Sequence, residues 1–342
     1  MSTGLAVLLF VVGAAALVRI GTALAVAGDE LAEQSRLGRL FIGTLLVAFA
    51  TSLPEVATDV TAAVNDAPDL AVGDLFGSSM ANMAILAIID LRHRGRVWPA
   101  AELGHARVAA VAMVLTAIAA LAMLTPPGLS VGWVGFDTVL IAGLYVAAMA
   151  WLRRAPLPLR GSAAGDPPLL VPLQEPVGLA GEHRAGSRRG AMVRFALAAL
   201  GILVAAPVVA LSAKQIADAS GVEETFIGTT LLAVTTSLPE LVVALAAVRI
   251  GAHDLAVGNL FGSNAANMAV LLVLDIAYLD GPILAAVDPL QTTAAVGAML
   301  LMALAVAALV GGTETRIRRL EPDAVMLLVA YVGAIVAVAL AA

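Results

Sequence analysis

The chain has 342 residues, 61% of them hydrophobic and only 13% charged, with a mean hydropathy of +0.98. A soluble domain carries about 25% charged residues, so a water-facing globular fold is excluded and the bilayer is the solvent for most of the chain. The lack of cysteine excludes a disulfide framework and thiolate metal sites, and the net charge of −6 matters less than where the charges lie.

A spanning helix needs about 20 mostly apolar residues. Ten stretches qualify, at roughly 4–27, 37–63, 70–90, 105–125, 130–152, 191–212, 222–248, 255–275, 289–310 and 323–341. The first lacks the basic start and cleavage site of a signal peptide and reads as a spanning helix. Turns at Thr125-Pro126-Pro127-Gly128 and Asp280-Gly281-Pro282 support two of the breaks. Between the fifth and sixth spans, residues 153–190 are rich in Pro, Gly and Arg and show no apolar periodicity. They read as a connector without a fold of its own. The chain thus divides into 1–152, the linker 153–190, and 191–342.

Alternate loops hold 17 of the 19 basic residues, with Lys214 alone on the other side and Arg19 inside the first helix. The positive-inside rule then puts the linker in the cytoplasm and both termini outside, in a multi-pass protein of the plasma (inner) membrane.

Residues 41–90 align without a gap on 226–275, an offset of 185, with about 28 of the 50 positions identical. Thr51-Ser52-Leu53-Pro54-Glu55 matches Thr236-Ser237-Leu238-Pro239-Glu240. Gly43-Thr44 matches Gly228-Thr229, Gly77-Ser78 matches Gly262-Ser263, and Ala81-Asn82-Met83 matches Ala266-Asn267-Met268. Five spans per copy is an odd number, so the second copy is inverted. The fold class expected is an all-α integral membrane protein of ten transmembrane helices arranged as two inverted five-helix repeats, with a site at the midplane between them.

Proline inside a helix removes a donor and frees the carbonyl four residues back. Pro54 and Pro239 therefore release the carbonyls of Ala50 and Thr235, which in hydrocarbon must find a partner or line a polar cavity. Each proline is expected to start a new half-helix, with Thr51 or Ser52 placed to cap and Glu55 or Glu240 in the first turn, where the dipole favours a carboxylate. A charge at the bilayer centre costs about 2.5–3.5 kcal/mol, and this chain carries that cost at two equivalent positions. Two carboxylates match a divalent cation, and the hydroxyls and amides nearby are the hard oxygen ligands that calcium prefers. The histidines His93, His105, His183 and His253 fall in loops or at helix ends, which argues against zinc or copper. Gly73, Gly77, Gly258 and Gly262 suit close helix packing. Ser78 and Ser263 suit packing or ligation equally, and Asn82 and Asn267 are expected to face the glutamates across the site. Asp90, Asp275, Asp137 and Asp323 read as helix-end residues.

The paired G-T-x-L…T-S-L-P-E and G-[DN]-L-F-G-S-x-x-A-N segments resemble the alpha-repeats of the cation/calcium exchanger superfamily, in particular its sodium/calcium exchanger branch. The G-N-A-A-E-H type motif of the proton-coupled branch is absent. The resemblance implies four central side chains around the ion, Glu55, Asn82, Glu240 and Asn267. Hydroxyls of Thr51, Ser52, Ser78, Thr236, Ser237 and Ser263 and carbonyls of Ala48 and Ala233 would complete the sites. It also implies alternating access, in which sodium and calcium compete and the helices at 4–27 and 191–212 slide against the rest. Calcium and sodium are then cargo, and no cofactor is expected. The partners are small inorganic cations and the lipid bilayer, with no nucleic acid, and the chain works as a monomer.

Two acids depart from the repeat. Asp59 lies one turn after Glu55, where the second copy has Ala244, and Asp74 stands opposite Asn259. They either add a proton site or alter selectivity, or else face a vestibule or bond between helices. Proton-coupled exchange of calcium or another divalent cation is the alternative on the same scaffold. A passive channel and an intramembrane enzyme are the alternatives from other classes. The enzyme is disfavoured because no H-E-x-x-H, Walker motif or soluble catalytic domain is present.

Overall fold

The computed structural model describes residues 3–34, 41–92, 104–125, 128–154, 187–220, 236–311 and 322–341. Helix α1 spans Thr3–Gln34, α2 Ala48–Val64, α3 Pro68–Arg92, α4 Gly104–Leu124 and α5 Phe136–Arg154. Helix α6 spans Arg188–Ser220, α7 Leu238–Arg249, α8 His253–Ala277, α9 Gln291–Gly311 and α10 Pro322–Ala341. Among the described residues nine helices are long and apolar enough to cross a membrane. The expected span 222–248 is described only in its second half, as α7. Most of the linker 153–190 lies outside the described residues, as do Ala233, Gly228 and Thr229.

The molecule is an all-helical membrane protein of two inverted repeats, and the packing shows the pseudo-two-fold directly. Helix α3 packs against α9 and α10 of the other half, and its counterpart α8 packs against α4 and α5. In the same way α1 packs on α7, and α6 on α2. The sequence halves are therefore interleaved in space. Helices α3 and α8 are the innermost, buried around most of their circumference. Their apolar residues surround a polar stripe that includes Ser78, Asn82, Ser263 and Asn267.

The longest helices, α1 and α6, run along each other at the periphery. Gly13 sits against Val209 and Gly201 against Ile20, so the two backbones approach closely. Their other faces carry exposed Leu8, Val11, Val12, Leu197, Leu200 and Val204, a surface suited to lipid. Glu30 of α1 pairs with Arg194 of α6 at one end of this couple.

Three local expectations are corrected. The first repeat is not broken at Pro54: α2 runs through it, and the irregularity lies earlier, as a π-helical stretch over Ile42–Val47. The cause is long-range packing. A side chain at Gly43 would meet the Leu255 carbonyl oxygen at 2.8 Å, and one at Gly262 would collide with the Thr44 backbone. Two glycines thus let this stretch lie directly on α8, and a wider helical turn accommodates the contact. Consequently Thr51 and Ser52 lie within α2 and do not cap it. The second repeat follows the expectation more closely: described helix begins again at Leu238, Pro239 sits at its start, and Glu240 occupies the first turn. Finally, the span expected at 130–152 starts only at Phe136. A two-stranded hairpin, Ser130–Val131 with Val134–Gly135, precedes it, turned by Gly132 at φ +66°, the conformation a hairpin turn demands of its first central residue.

The connection between α2 and α3 shows how the repeat carries backbone detail. Asp66 has φ +58°, and Gly251, its equivalent 185 residues later, has φ +80°. The second copy uses the residue that adopts this region freely, and the first uses an aspartate, which tolerates it.

Candidate cation site

The site forms where α2 and α7 cross α3 and α8. Glu55, Glu240, Asn82, Asn267, Ser78, Ser263, Ser52, Ser237, Thr51 and Thr236 are all buried, none more than 2% exposed. Each glutamate is held by a hydroxyl of the other repeat. Ser237 Oγ donates to Glu55 Oε1 at 3.2 Å, and Ser52 Oγ donates to Glu240 Oε1 at 3.3 Å. These are the same contact under the pseudo-two-fold. Thr51 Oγ1 reaches Asn259 Oδ1 at 3.1 Å, and Thr236 Oγ1 reaches Asp74 at 3.5 Å, again an equivalent pair. Ser263 Oγ extends the network to Glu240 Oε1 at 3.4 Å and to the Ala48 carbonyl at 3.5 Å. Ser78 Oγ lies 3.5 Å from Thr236 Oγ1.

The second oxygens are more telling. Among the described residues, Glu55 Oε2, Glu240 Oε2 and Asn82 Oδ1 are buried without a donor, and neither Asn267 Oδ1 nor Asn267 Nδ2 has a hydrogen-bond partner. A buried carboxylate or amide oxygen left without a partner costs about 1–3 kcal/mol or more, and these four residues, two from each repeat at equivalent positions, all carry this cost. No basic side chain is among the hydrogen-bond partners of either glutamate. The arrangement suits a desolvated cation: hard oxygen donors, two negative charges, and hydroxyls that fix the carboxylates.

Asp59 and Asp74 are also buried, at 1% and 0% exposure. Neither Asp59 oxygen has a hydrogen-bond donor among the described residues. Among the described residues no three Asp, Glu or His side chains converge as metal ligands. Asp59 and Asp74 are therefore not third and fourth carboxylates converging on one point with the glutamates. Asp275 has a structural role. It accepts from Gly135 N and Ile283 N, each at 2.7 Å, and from the Thr138 hydroxyl at 2.5 Å, tying the end of α8 to the hairpin and to the turn at Ile283. His105 is buried at the start of α4 and contacts Asp254 of α8 at 2.9 Å, away from the glutamates.

Sequence reasoning missed two participants, Asn259 and Asn264. Asn264 accepts from Asn82 Nδ2 at 2.9 Å and donates to the Ser79 carbonyl at 3.2 Å. Asn264 differs from its repeat equivalent, Ser79, so a comparison weighted to identical positions passes over it, and Asn259 entered only as the counterpart of Asp74. The available signal was their polarity inside an otherwise apolar span.

The profile of the family described as "Sodium/calcium exchanger protein" matches residues 5–152 and 190–340. The inner membrane protein YrbG of Escherichia coli is 31% identical over 300 residues, covering 88% of this chain and 87% of that protein. The sodium/calcium exchanger MaX1 of Methanosarcina acetivorans is 52% identical over a 58-residue stretch, 17% of each chain. The solved structure of the sodium-calcium exchanger NCX_Mj superposes with a TM-score of 0.70 at 22% identity, covering 98% of this chain and 99% of that one, a likeness of fold.

Proposed function

The chain belongs to the sodium/calcium exchanger family of membrane cation transporters, and from that premise we propose that it exchanges sodium for calcium by alternating access. The observation that carries the reading is the set of buried oxygens without donors, among the described residues, on Glu55, Glu240, Asn82 and Asn267, with the two glutamates each held by a serine of the other repeat. Calcium takes six to eight hard oxygens at low field from each. Glu55 and Glu240 supply its charge, Asn82 and Asn267 supply neutral oxygens, and Thr51, Ser52, Ser78, Thr236, Ser237, Ser263 and the carbonyls of Ala48 and Ala233 offer positions for singly charged sodium ions of similar size. Two sodium ions carry the charge of one calcium ion, so the same carboxylates can serve either cargo in turn.

The peripheral pair α1 and α6 supports the moving part of the reading. The two helices pack on each other through glycines, and each contacts the second helix of the opposite repeat. Displacement of the pair along the inner helices would open one end of the site and close the other. The repeats 1–152 and 191–342, joined through a cytoplasmic linker at 153–190 with both termini outside, give each half the opposite orientation that such a motion needs. We place the chain in the inner membrane, working as a monomer.

One observation favours a second reading, coupling to protons. Asp59 and Asp74 are two further buried carboxylates, neither Asp59 oxygen has a donor among the described residues, and the second repeat has Ala244 and Asn259 in their places. Purified protein in proteoliposomes, given sodium, proton and potassium gradients in turn, separates the two. Calcium uptake driven by the sodium gradient supports the first reading. Uptake driven by a pH gradient alone replaces it with the second, and uptake that needs no counter-gradient replaces both with a channel.

A further inference from the structure

The hydrogen bonds behind Asn82 form a directed chain, and a backbone carbonyl sets the direction. Asn264 Nδ2 donates to the Ser79 carbonyl at 3.2 Å. A carbonyl can only accept, so the Asn264 amide must turn its nitrogen that way and its oxygen the other. Asn82 meets that oxygen at 2.9 Å and must therefore present Nδ2. Its own Oδ1 is left pointing elsewhere, buried and without a protein donor. An asparagine on its own could present either end.

The second repeat has no such chain. The residue equivalent to Asn264 is Ser79, whose hydroxyl donates back to the Leu75 carbonyl of its own helix at 2.9 Å. Neither polar atom of Asn267 has a partner. The two central asparagines are equivalent in sequence but not equally held.

We propose that Asn264 is a positioning residue that locks Asn82 with its oxygen toward the transported cation, while Asn267 is left free to turn. This rests on the reading of the site as a cation site. A cation is bound by the amide oxygen and repelled by the NH2 group. Holding the oxygen forward before the ion arrives removes the non-binding orientation and makes the first repeat the preformed half of the site. Asn267 takes up its binding orientation only with the ion.

The test is sodium-driven calcium uptake in proteoliposomes, with KM and Vmax measured for wild type, Asn264→Ser, Asn82→Asp and the double variant. Loss of a group that orients a metal ligand typically lowers affinity about 10–100-fold. Asn264→Ser should therefore raise the KM for calcium about tenfold or more, with Vmax at saturating calcium largely kept. In the Asn82→Asp background both ends of the side chain are oxygens, so Asn264→Ser should add no further rise. A packing role for Asn264 predicts the same rise in both backgrounds, and that result would overturn the proposal, as would Asn264→Ser with a wild-type KM. If Asn264→Ser does not elute as a folded species, Asn264→Thr, which also lacks the amide, serves in its place in the same two backgrounds: a tenfold rise confined to the Asn82 background supports the proposal, and an equal rise in both, or none, overturns it. Wild-type protein without sodium-driven calcium flux would instead overturn the functional reading beneath it.

Discussion

Adding one methyl group at Gly262 should damage the molecule far more than adding one at Gly143. A Cβ at Gly262 would collide with the Thr44 backbone, in the π-helical stretch that leads into α2. Backbone cannot rotate aside as a side chain can, so the stretch must shift bodily. Overpacking of this kind costs about 1–3 kcal/mol. A Cβ at Gly143, within α5, meets nothing within 4 Å, and Gly→Ala in an unstrained helix interior gains about 0.4–1 kcal/mol. The expected difference between the two variants is thus roughly 1.5–4 kcal/mol in opposite directions. Thermal unfolding of the detergent-purified proteins, followed by intrinsic fluorescence, reads it. Gly262→Ala should unfold several degrees below wild type and Gly143→Ala at or above it. Transport should fall in Gly262→Ala as well, because Ala48 and Glu55 follow the displaced stretch. Equal melting temperatures for the two variants would refute the claim that backbone contact between this stretch and α8 sets its conformation.

Asp275→Asn should destabilise the fold by at least about 1–3 kcal/mol, because the amide NH2 must face Ile283 N on one side or Gly135 N and the Thr138 hydroxyl on the other. The melting temperature should fall while the KM for calcium at permissive temperature is kept. Asp59→Asn should retain sodium-driven calcium uptake at wild-type KM, since Asp59 does not converge with the glutamates as a metal ligand. Complete loss of uptake in that variant would make Asp59 part of the coordination.

Much of this was legible in the residues because two copies of one unit report on each other. The identity between 41–90 and 226–275 carried the repeat, and the odd number of spans carried the inversion. Glu55 and Glu240 stood out because intramembrane carboxylates are costly. In the structure both are buried, Ser237 donates to Glu55, and Ser52 and Ser263 donate to Glu240. What was not legible depends on contacts distant in sequence. The π-helical stretch arises where Gly43 meets Leu255 and Gly262 meets Thr44, and a proline rule applied locally puts the irregularity at Pro54 instead. The orientation of Asn82 depends on Asn264, 182 residues away. The burial of both Asp59 and Asp74 depends on how α2 and α3 lie among the other helices, which no spacing in the chain records.

The central claim is that Glu55 and Glu240 together bind the transported cation. Calcium uptake into sodium-loaded proteoliposomes, compared among wild type, Glu55→Gln and Glu240→Gln, tests it most directly. Each substitution keeps an oxygen and the size of the side chain while removing half of the site's charge. The account predicts sodium-dependent uptake in wild type and its abolition in both variants, with the proteins still folded in detergent. Uptake that persists unchanged in either folded variant would contradict it.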